Sequence, residues 1–389
     1  MGKLEDRIKE IAKENGAVLV GITSKERLAD SPPSGNPEYV LPSARSLISI
    51  AVTMDKNNLR DFLGKKDWLT HGDERQQMAR TIYLIGDKIS AFLRGNGYEA
   101  AIVDVNNDYR PEEGAEDVTE MTEFLPDFAH RYAAVAAGLA RIGWSGNVLN
   151  PEYGALLELG TVLTSAELEQ DPLLADNPCD NCKMCTLVCP VEMISKRESI
   201  KVTIAGITEE IGARKPVTCC FIGCSGYQSL SPDKKWSNYS PYRLEDSLPK
   251  NKEALDQLNI RLLKTDPMLS LEDNSFSDYR KAVFDENWHM GTVCGNCRAV
   301  CWKERSAREE NMRLVINSGV VVLSPNGQHI VADGEIVEIQ TPYIVKVAVL
   351  KKDYEAAQAG KGSAEVVEGY TPIDIEVLRY VFKPGSKEQ

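Results

Sequence analysis

The sequence predicts a mixed α/β fold: an α/β core with α+β, sandwich-like layering, then a cysteine-rich module, then a small C-terminal antiparallel β appendage. Three observations predict it. Apolar strand-like runs alternate with helical ones over the first 165 or so residues, the pattern of a layered sheet with helices packed on it. All ten cysteines fall between residues 179 and 301. Beyond residue 310, β-branched runs are separated by Asn-Gly and Asp-Gly dipeptides, which supply the positive φ of tight hairpins. The expected divisions are 1–170, 171–310 and 311–389.

In LEDRIKEIAKENG, Leu4, Ile8 and Ile11 share one face and Gly16 ends the helix, as a glycine C-cap does. AVLVGIT reads as a buried strand. After a loop with Pro32, Pro33 and Pro37, SLISIAVTM reads as a second. QQMARTIYLIGDKISAFLRGNGY is a long helix closed by Gly95 and Gly97, and EAAIVDV a third strand. The helix PDFAHRYAAVAAGLARIG and the strand LELGTVLT complete the core. Strands this apolar are expected to be covered on both faces.

Composition narrows the function. With 389 residues and 42% hydrophobic content the chain can bury more than one compact unit, since single cores stop growing at about 250–300 residues. No apolar run approaches the roughly 18 residues of a membrane span, and no basic leader precedes an apolar stretch; a cytoplasmic address and no membrane span are expected. Cysteines there stay reduced, so ten of them point to metal rather than to a disulfide frame. A net charge of −13 argues against a broad nucleic-acid footprint, which needs a cationic surplus. Nucleic acid is therefore not an expected partner.

Cys179, Cys182, Cys185, Cys189 and Pro190 form C-x2-C-x2-C-x3-C-P, the run that wraps three thiolates round one [4Fe–4S] cluster and sends the fourth to another in two-cluster ferredoxins. A second run is therefore required, and Cys294, Cys297 and Cys301 repeat C-x2-C-x3-C. Two clusters need eight thiolates and the runs give seven. Cys220 is the expected eighth, with Cys219 and Cys224 as alternatives; the two left over read as small buried hydrophobes. By the crossing rule Cys179, Cys182, Cys185 and Cys301 hold the first cluster, and Cys189, Cys294, Cys297 and the eighth ligand the second. Structural zinc is the competing reading, but zinc uses two separated ligand pairs. Trp302, not proline, follows Cys301, so CWKERSAREENMRLV reads as able to continue as helix.

The segments PEYVLPSARSLISIAVTM (37–54) and AVAAGLARIGWSGNVLNPEYGALLELGTVLTSAELEQDPLL (134–174), followed by the two cysteine runs, resemble the family that contains reductive dehalogenases and epoxyqueuosine reductases. The likeness covers about residues 4–305, and NPEYG resembles the dehalogenase branch more closely. It implies a ferredoxin-like two-cluster module, a cobalamin-binding core and an oxidoreductase that reductively cleaves a small-molecule substrate, fed by a low-potential donor such as a ferredoxin or flavodoxin. It also implies that Gly138, Gly143, Ser145, Gly146 and Asn147 line the corrin pocket. Arg141 and Trp144 depart from the family pattern, as does the β appendage. Family members use tyrosine or aspartate as proton donor, and Tyr109 and Asp104 are the candidates; a solvated acidic loop is the plainer reading of that segment. The alternative function is a corrin-free electron-transfer or redox-activating subunit docking on a partner enzyme. His71, His130, His289 and His329 are scattered and read as packing or surface residues.

Overall fold

The computed structural model describes residues 3–104, 109–110, 125–265, 279–286, 290–361 and 372–382. The core runs through α1 (Leu4–Glu14), β1 (Leu19–Ser24), β2 (Ser46–Thr53), α2 (Lys56–Leu63), α3 (Leu69–Gly95), β3 (Ala100–Ile102), α4 (His130–Ala136), β4 (Arg141–Ile142), β5 (Val148–Leu149) and β6 (Leu157–Thr164). Four of the strands form one sheet in the order β1-β2-β6-β3, with every pairing antiparallel. The α+β part of the expectation therefore describes this layer; it is not a parallel doubly wound sheet.

Period-two alternation sorts the side chains of this sheet. Ile48, Ile50 and Val52 pack with Ile8 of α1 and Ile82 and Ile89 of α3, while Leu47, Ala51, Leu159 and Leu163 face Ala133, Ala134 and Ala136 of α4. Both faces are covered, and all of β6 is buried. The first residue of α4, His130, is tied down on both ring nitrogens: Nδ1 lies 2.9 Å from Thr161 Oγ1 and Nε2 3.0 Å from the Asp104 carbonyl. Since a carbonyl only accepts, Nε2–H donates to it and Nδ1 accepts from the threonine hydroxyl. Burial lowers the histidine pKa, in keeping with this neutral tautomer. His71 is also buried, and His329 stacks on Trp68 with ring centroids 5.6 Å apart; His289 lies outside the described residues.

The second half contains α5 (Met184–Leu187), β7 (Ile194–Ile204), β8 (Ile207–Arg214), α6 (Val217–Cys224), β9 (Tyr242–Leu244), α7 (Lys252–Thr265), α8 (Tyr279–Phe284), α9 (Asn296–Ala299) and α10 (Arg305–Ile316). The β7–β8 hairpin was not expected inside a cysteine-rich, loop-rich segment. Its turn places Ala205 and Gly206 at φ of 55° and 74°, and an alanine in the left-handed region is a weak sequence signal for a hairpin. The helix expected to run on from Cys301 is interrupted. Between α9 and α10 the Trp302 indole turns back, donates to the Ala299 carbonyl at 2.8 Å and is buried.

The C-terminal sheet differs from the expected antiparallel appendage. Strands β10 (Val321–Leu323), β11 (His329–Val331), β12 (Ile336–Gln340) and β13 (Val345–Leu350) lie in the order β11-β10-β13-β12, and two helices follow, α11 (Lys351–Gln358) and α12 (Pro372–Val381). Strand β10 meets β13 in parallel, and β13 also pairs with β9 from the cysteine-rich segment. The Asn326-Gly327 turn joins the paired strands β10 and β11 as expected, whereas Asp333-Gly334 links strands that do not pair with each other. The reason is burial: β13 is apolar almost throughout and takes neighbours on both edges, whereas the last strand of a simple meander would lie at an edge. A single apolar core includes Ile8 and Ile50 as well as Trp302, Val315 and Val321, so the segments on either side of residues 170 and 310 pack together. Among the described residues no helix is long and apolar enough to cross a membrane.

Candidate thiol centres and the cleft beside them

The first cysteine run is shaped by its non-cysteine residues. Asn181 and Lys183 adopt φ of 55° and 59°, which coils the loop tightly. The Cys179 amide donates to Asn177 Oδ1 at 2.9 Å and the Cys182 amide to Asp180 Oδ1 at 3.2 Å. The other Asp180 oxygen accepts from Arg308 at 2.8 Å and Arg305 at 3.4 Å, so α10 holds the loop from outside.

The second run is anchored to the core sheet. Arg298, between Cys297 and Cys301, donates to Glu158 of β6 at 3.0 Å. Burial opposes the Glu158 charge, but Arg298 and Arg75 outweigh it and hold this carboxyl below its usual range. Asn296 donates to Asn238 Oδ1 at 3.0 Å and to the Val188 carbonyl at 3.3 Å, tying the two runs together. The NPEYG segment completes the anchor. Asn150 and Gly154 pair through their backbones, and the Ala155 amide donates to the Cys301 carbonyl at 2.8 Å. Gly154 sits at φ 61°, and a Cβ there would lie 2.6 Å from Cys301 O and 2.7 Å from Trp302 C. The motif is thus the seat of the second run.

The thiols fall into two groups that cross between runs. Cys179, Cys182, Cys185 and Cys301 line one cavity together with Trp144 and Arg308, although more than 100 residues separate Cys301 from the other three. Cys189 faces Cys294 and Cys297. Cys220 and Cys224, one turn apart on α6 with sulfurs 3.6 Å from each other, both face Cys294. Cys219 is buried and stands apart beside Lys215.

Ionising these groups is opposed first by burial and then by neighbouring cysteines. Cys301 is pushed up to about 12, Cys189 to about 12 and Cys297 to about 11. Cys294 is the exception, drawn down to about 7 by a hydrogen bond with Cys224. Several enclosed thiols that resist sharing negative charge are a donor set completed by a cationic, thiophilic core. Among the described residues no three His, Cys, Asp or Glu side chains close on a single-ion position; the fit of a polynuclear centre rests on the donor set and its crossing.

The loop 143–147 lies between the two groups. The Trp144 amide approaches Cys179 Sγ at 3.4 Å and Asn147 Nδ2 approaches Cys297 Sγ at 3.6 Å. Gly143 abuts Cys179 and Leu149, and Gly138 closes on the Pro172 carbonyl away from the cysteines. The Ser145 carbonyl accepts from Arg214, the Gly146 carbonyl from Arg131 at 2.9 Å, and the Asn147 amide donates to Ser145 Oγ at 3.2 Å. Arg131, Arg214 and Cys224 are solvent-exposed, and both arginines reach the 145–147 segment. The two guanidinium groups act on Cys220 of the second thiol group.

Arg141 and Trp144 have a shared explanation. Arg141 Nε donates to Glu209 of β8 at 2.6 Å. The Trp144 indole donates to the Ser195 carbonyl at 2.8 Å, and the Trp144 carbonyl accepts from Gly212 at 2.9 Å. Both residues seat the β7–β8 hairpin, a partner about 50–70 residues away in sequence that no local pattern reveals.

Of the two acid candidates, Tyr109 is nearer the thiols: burial and then the Cys220 charge raise its phenol above the usual value. The Asp104 side chain is exposed and shares a small cavity with Asp127. Asp127 went unnoticed in the sequence. Burial raises its carboxyl pKa against the opposing pull of Arg110, and Asp104 adds to the rise; a carboxylate just ahead of an apolar helix is the only signal it leaves.

The chain gathers cysteines from three stretches into two crossed groups beside an antiparallel sheet covered by helices. It matches no family model. It is 25% identical over 216 residues to an epoxyqueuosine reductase of Bacillus cereus, covering 52% of each chain. It is 28% identical over 170 residues to one of Staphylococcus aureus, covering 41% of this chain and 38% of the relative. The chain spans about half the length of the first of these curated relatives, and less of the second. These similarities are to proteins of the family whose motifs the sequence resembles. Solved structures similar to it include a catabolic reductive dehalogenase in complex with 3-bromo-4-hydroxybenzoic acid (TM-score 0.39, 20% identity, covering 55% of this chain and 28% of that one). Epoxyqueuosine reductase from Streptococcus thermophilus is another (TM-score 0.34, 18% identity, 52% and 55%).

Proposed function

We propose that the chain is an iron–sulfur oxidoreductase in which eight cysteines hold two [4Fe–4S] clusters, and that it reductively cleaves a bond in a small-molecule substrate. The observation that carries this reading is the single cavity lined by Cys179, Cys182, Cys185 and the sequence-distant Cys301. The second set is Cys189, Cys294, Cys297 and Cys220, with Cys224 competing for the last place because both sulfurs face Cys294. The name carried by the curated relatives makes a carbon–oxygen bond the first bond to test, and a carbon–halogen bond the second.

A cobalamin site beside the second set is part of this reading. Arg131, Arg214 and the 145–147 segment border it, and the guanidinium groups suit the phosphate and amide groups of that cofactor. When bound, cobalamin supplies a low-valent cobalt capable of breaking carbon–oxygen or carbon–halogen bonds. The chain's own part is to hold that site beside the thiol groups and to offer a proton from Tyr109 Oη, a phenol protonated at neutral pH that burial makes a still weaker acid. The corrin-free alternative draws on one observation: the Ser145 and Gly146 carbonyls and the Asn147 amide are already paired within the protein.

Anaerobic reconstitution followed by gel filtration with cob(II)alamin separates the two. Retention of about one cobalt per chain, lost in an Arg131→Glu/Arg214→Glu variant that keeps its iron, supports the cofactor-dependent reading. Elution of the fully iron-loaded protein without cobalt leaves the electron-transfer reading standing.

A further inference from the structure

A groove begins at Thr186, the residue after Cys185, and runs past Met193, whose amide donates to Cys189 Sγ at 3.3 Å. It is walled by the end of α5, the Glu192–Glu198 stretch and the Ala213–Lys215 end of β8. The stretch is a wide bulge: Ile194 pairs with Arg214 and Ser199 with Gly212, so four residues of one strand oppose Ala213 alone. Such bulges re-aim side chains and are conserved features of functional edges rather than faults. Ser195 stabilises this one by accepting from the Arg197 and Glu198 amides at 3.2 and 3.0 Å.

The charge of the groove is opposite to that of the molecule. Lys196, Arg197, Arg214 and Lys215 line it against Glu192 and Glu198, in a chain of net charge −13. Lys196 and Arg197 are exposed and have no ion-pair partner among the described residues. Lys183 extends the patch, reaching the Lys196 carbonyl at 3.0 Å while its ammonium rests 3.9 Å from the Trp144 ring centroid. Trp144 and Lys183 also line the four-thiol cavity, so one pair of side chains joins groove to cavity. The rim is partly apolar. Leu187 and Val217, which follow the lining residues Thr186 and Lys215, are 42% and 45% exposed. Cationic residues around exposed aliphatic ones form the complement of an acidic protein surface.

We propose that this groove is the docking surface for an acidic one-electron carrier protein, through which reducing equivalents enter at the Cys179/Cys182/Cys185/Cys301 group. The inference rests on the two-cluster reading. In the step, one electron leaves the reduced carrier, which is oxidised, and the first cluster is reduced; no bond is made or broken. Long-range attraction between unlike patches raises the encounter rate, and salt screens it over about 10 Å at 0.1 M.

The test is stopped-flow reduction of the anaerobically reconstituted full chain by a reduced, acidic plant-type ferredoxin, with dithionite as the small-molecule control. The Lys196→Glu/Arg197→Glu variant is expected to lower the second-order rate with ferredoxin by about tenfold or more at low salt. The difference should shrink at high salt, while iron content and the dithionite rate stay unchanged. An unchanged ferredoxin rate in the iron-loaded variant overturns the docking site and leaves the two-cluster reading intact. A wild-type protein that takes up no iron overturns both. Binding of an RNA stem-loop that is abolished by the same variant and blocks reduction by ferredoxin would assign the groove to nucleic acid and overturn the proposal.

Discussion

On the proposed two-cluster reading, Cys301→Ser is expected to remove the cluster assigned to Cys179, Cys182 and Cys185, not the one assigned to its sequence neighbours Cys294 and Cys297. Iron falls from about eight to about four atoms per chain, the content of one [4Fe–4S] centre. Cys301 follows Cys297 by only four residues, so proximity in sequence suggests the opposite outcome. The geometry decides it: Cys301 lines the cavity of the first run, and its nearest acidic neighbours are Cys179 and Cys182. Cys189→Ser is the mirror experiment and strips the second group, because Cys189 faces Cys294 and Cys297. Electron paramagnetic resonance of the reduced variants identifies which cluster survives. If Cys301→Ser and Cys297→Ser lose the same signal, the crossing is wrong.

Gly154→Ala is expected to destabilise the fold by about 2–5 kcal/mol and to make the proposed first cluster labile. Two costs add. The residue sits at φ 61°, where a side chain costs roughly 1–2 kcal/mol, and overpacking adds about 1–3 kcal/mol. The new Cβ would lie 2.6 Å from Cys301 O, 2.7 Å from Trp302 C and 2.8 Å from Lys303 N. All three are backbone atoms, so no flexible side chain can move aside, and the displaced segment is the one that carries Cys301. Gly206→Ala is the control: φ is 74° but no atom stands within 4 Å of the added carbon, so only the conformational part is lost. Urea denaturation midpoints and iron retention measured on both variants check the claim; equal losses would show that the contact with Cys301 carries no energy.

The two cysteine runs were legible because their spacing is local, and the expected meeting of Cys301 with Cys179, Cys182 and Cys185 is the grouping that the fold displays. The eighth ligand was not legible, since Cys220 and Cys224 occupy one face of α6 and only the fold places both before Cys294. Strands β2 and β6 were legible through their continuous apolar character, whereas their antiparallel pairing depends on connections that composition does not encode. The 143–147 loop shows the deepest difference. Its small residues suggested a surface for a flat cofactor, yet the loop spends Trp144 and Asn147 on the two thiol groups and Arg141, just ahead of it, on a hairpin. Those partners lie about 35–150 residues away, beyond any periodicity argument. Asp127 and the basic groove were hidden for the same reason: each exists only once distant segments meet.

The central claim is that cysteines from three separate stretches close around two iron–sulfur clusters. Iron, sulfide and zinc quantification on the anaerobically reconstituted chain tests it most directly. About eight iron and eight sulfide per chain with negligible zinc is the predicted result; stoichiometric zinc, or iron that saturates near four atoms in the wild-type protein, would contradict it.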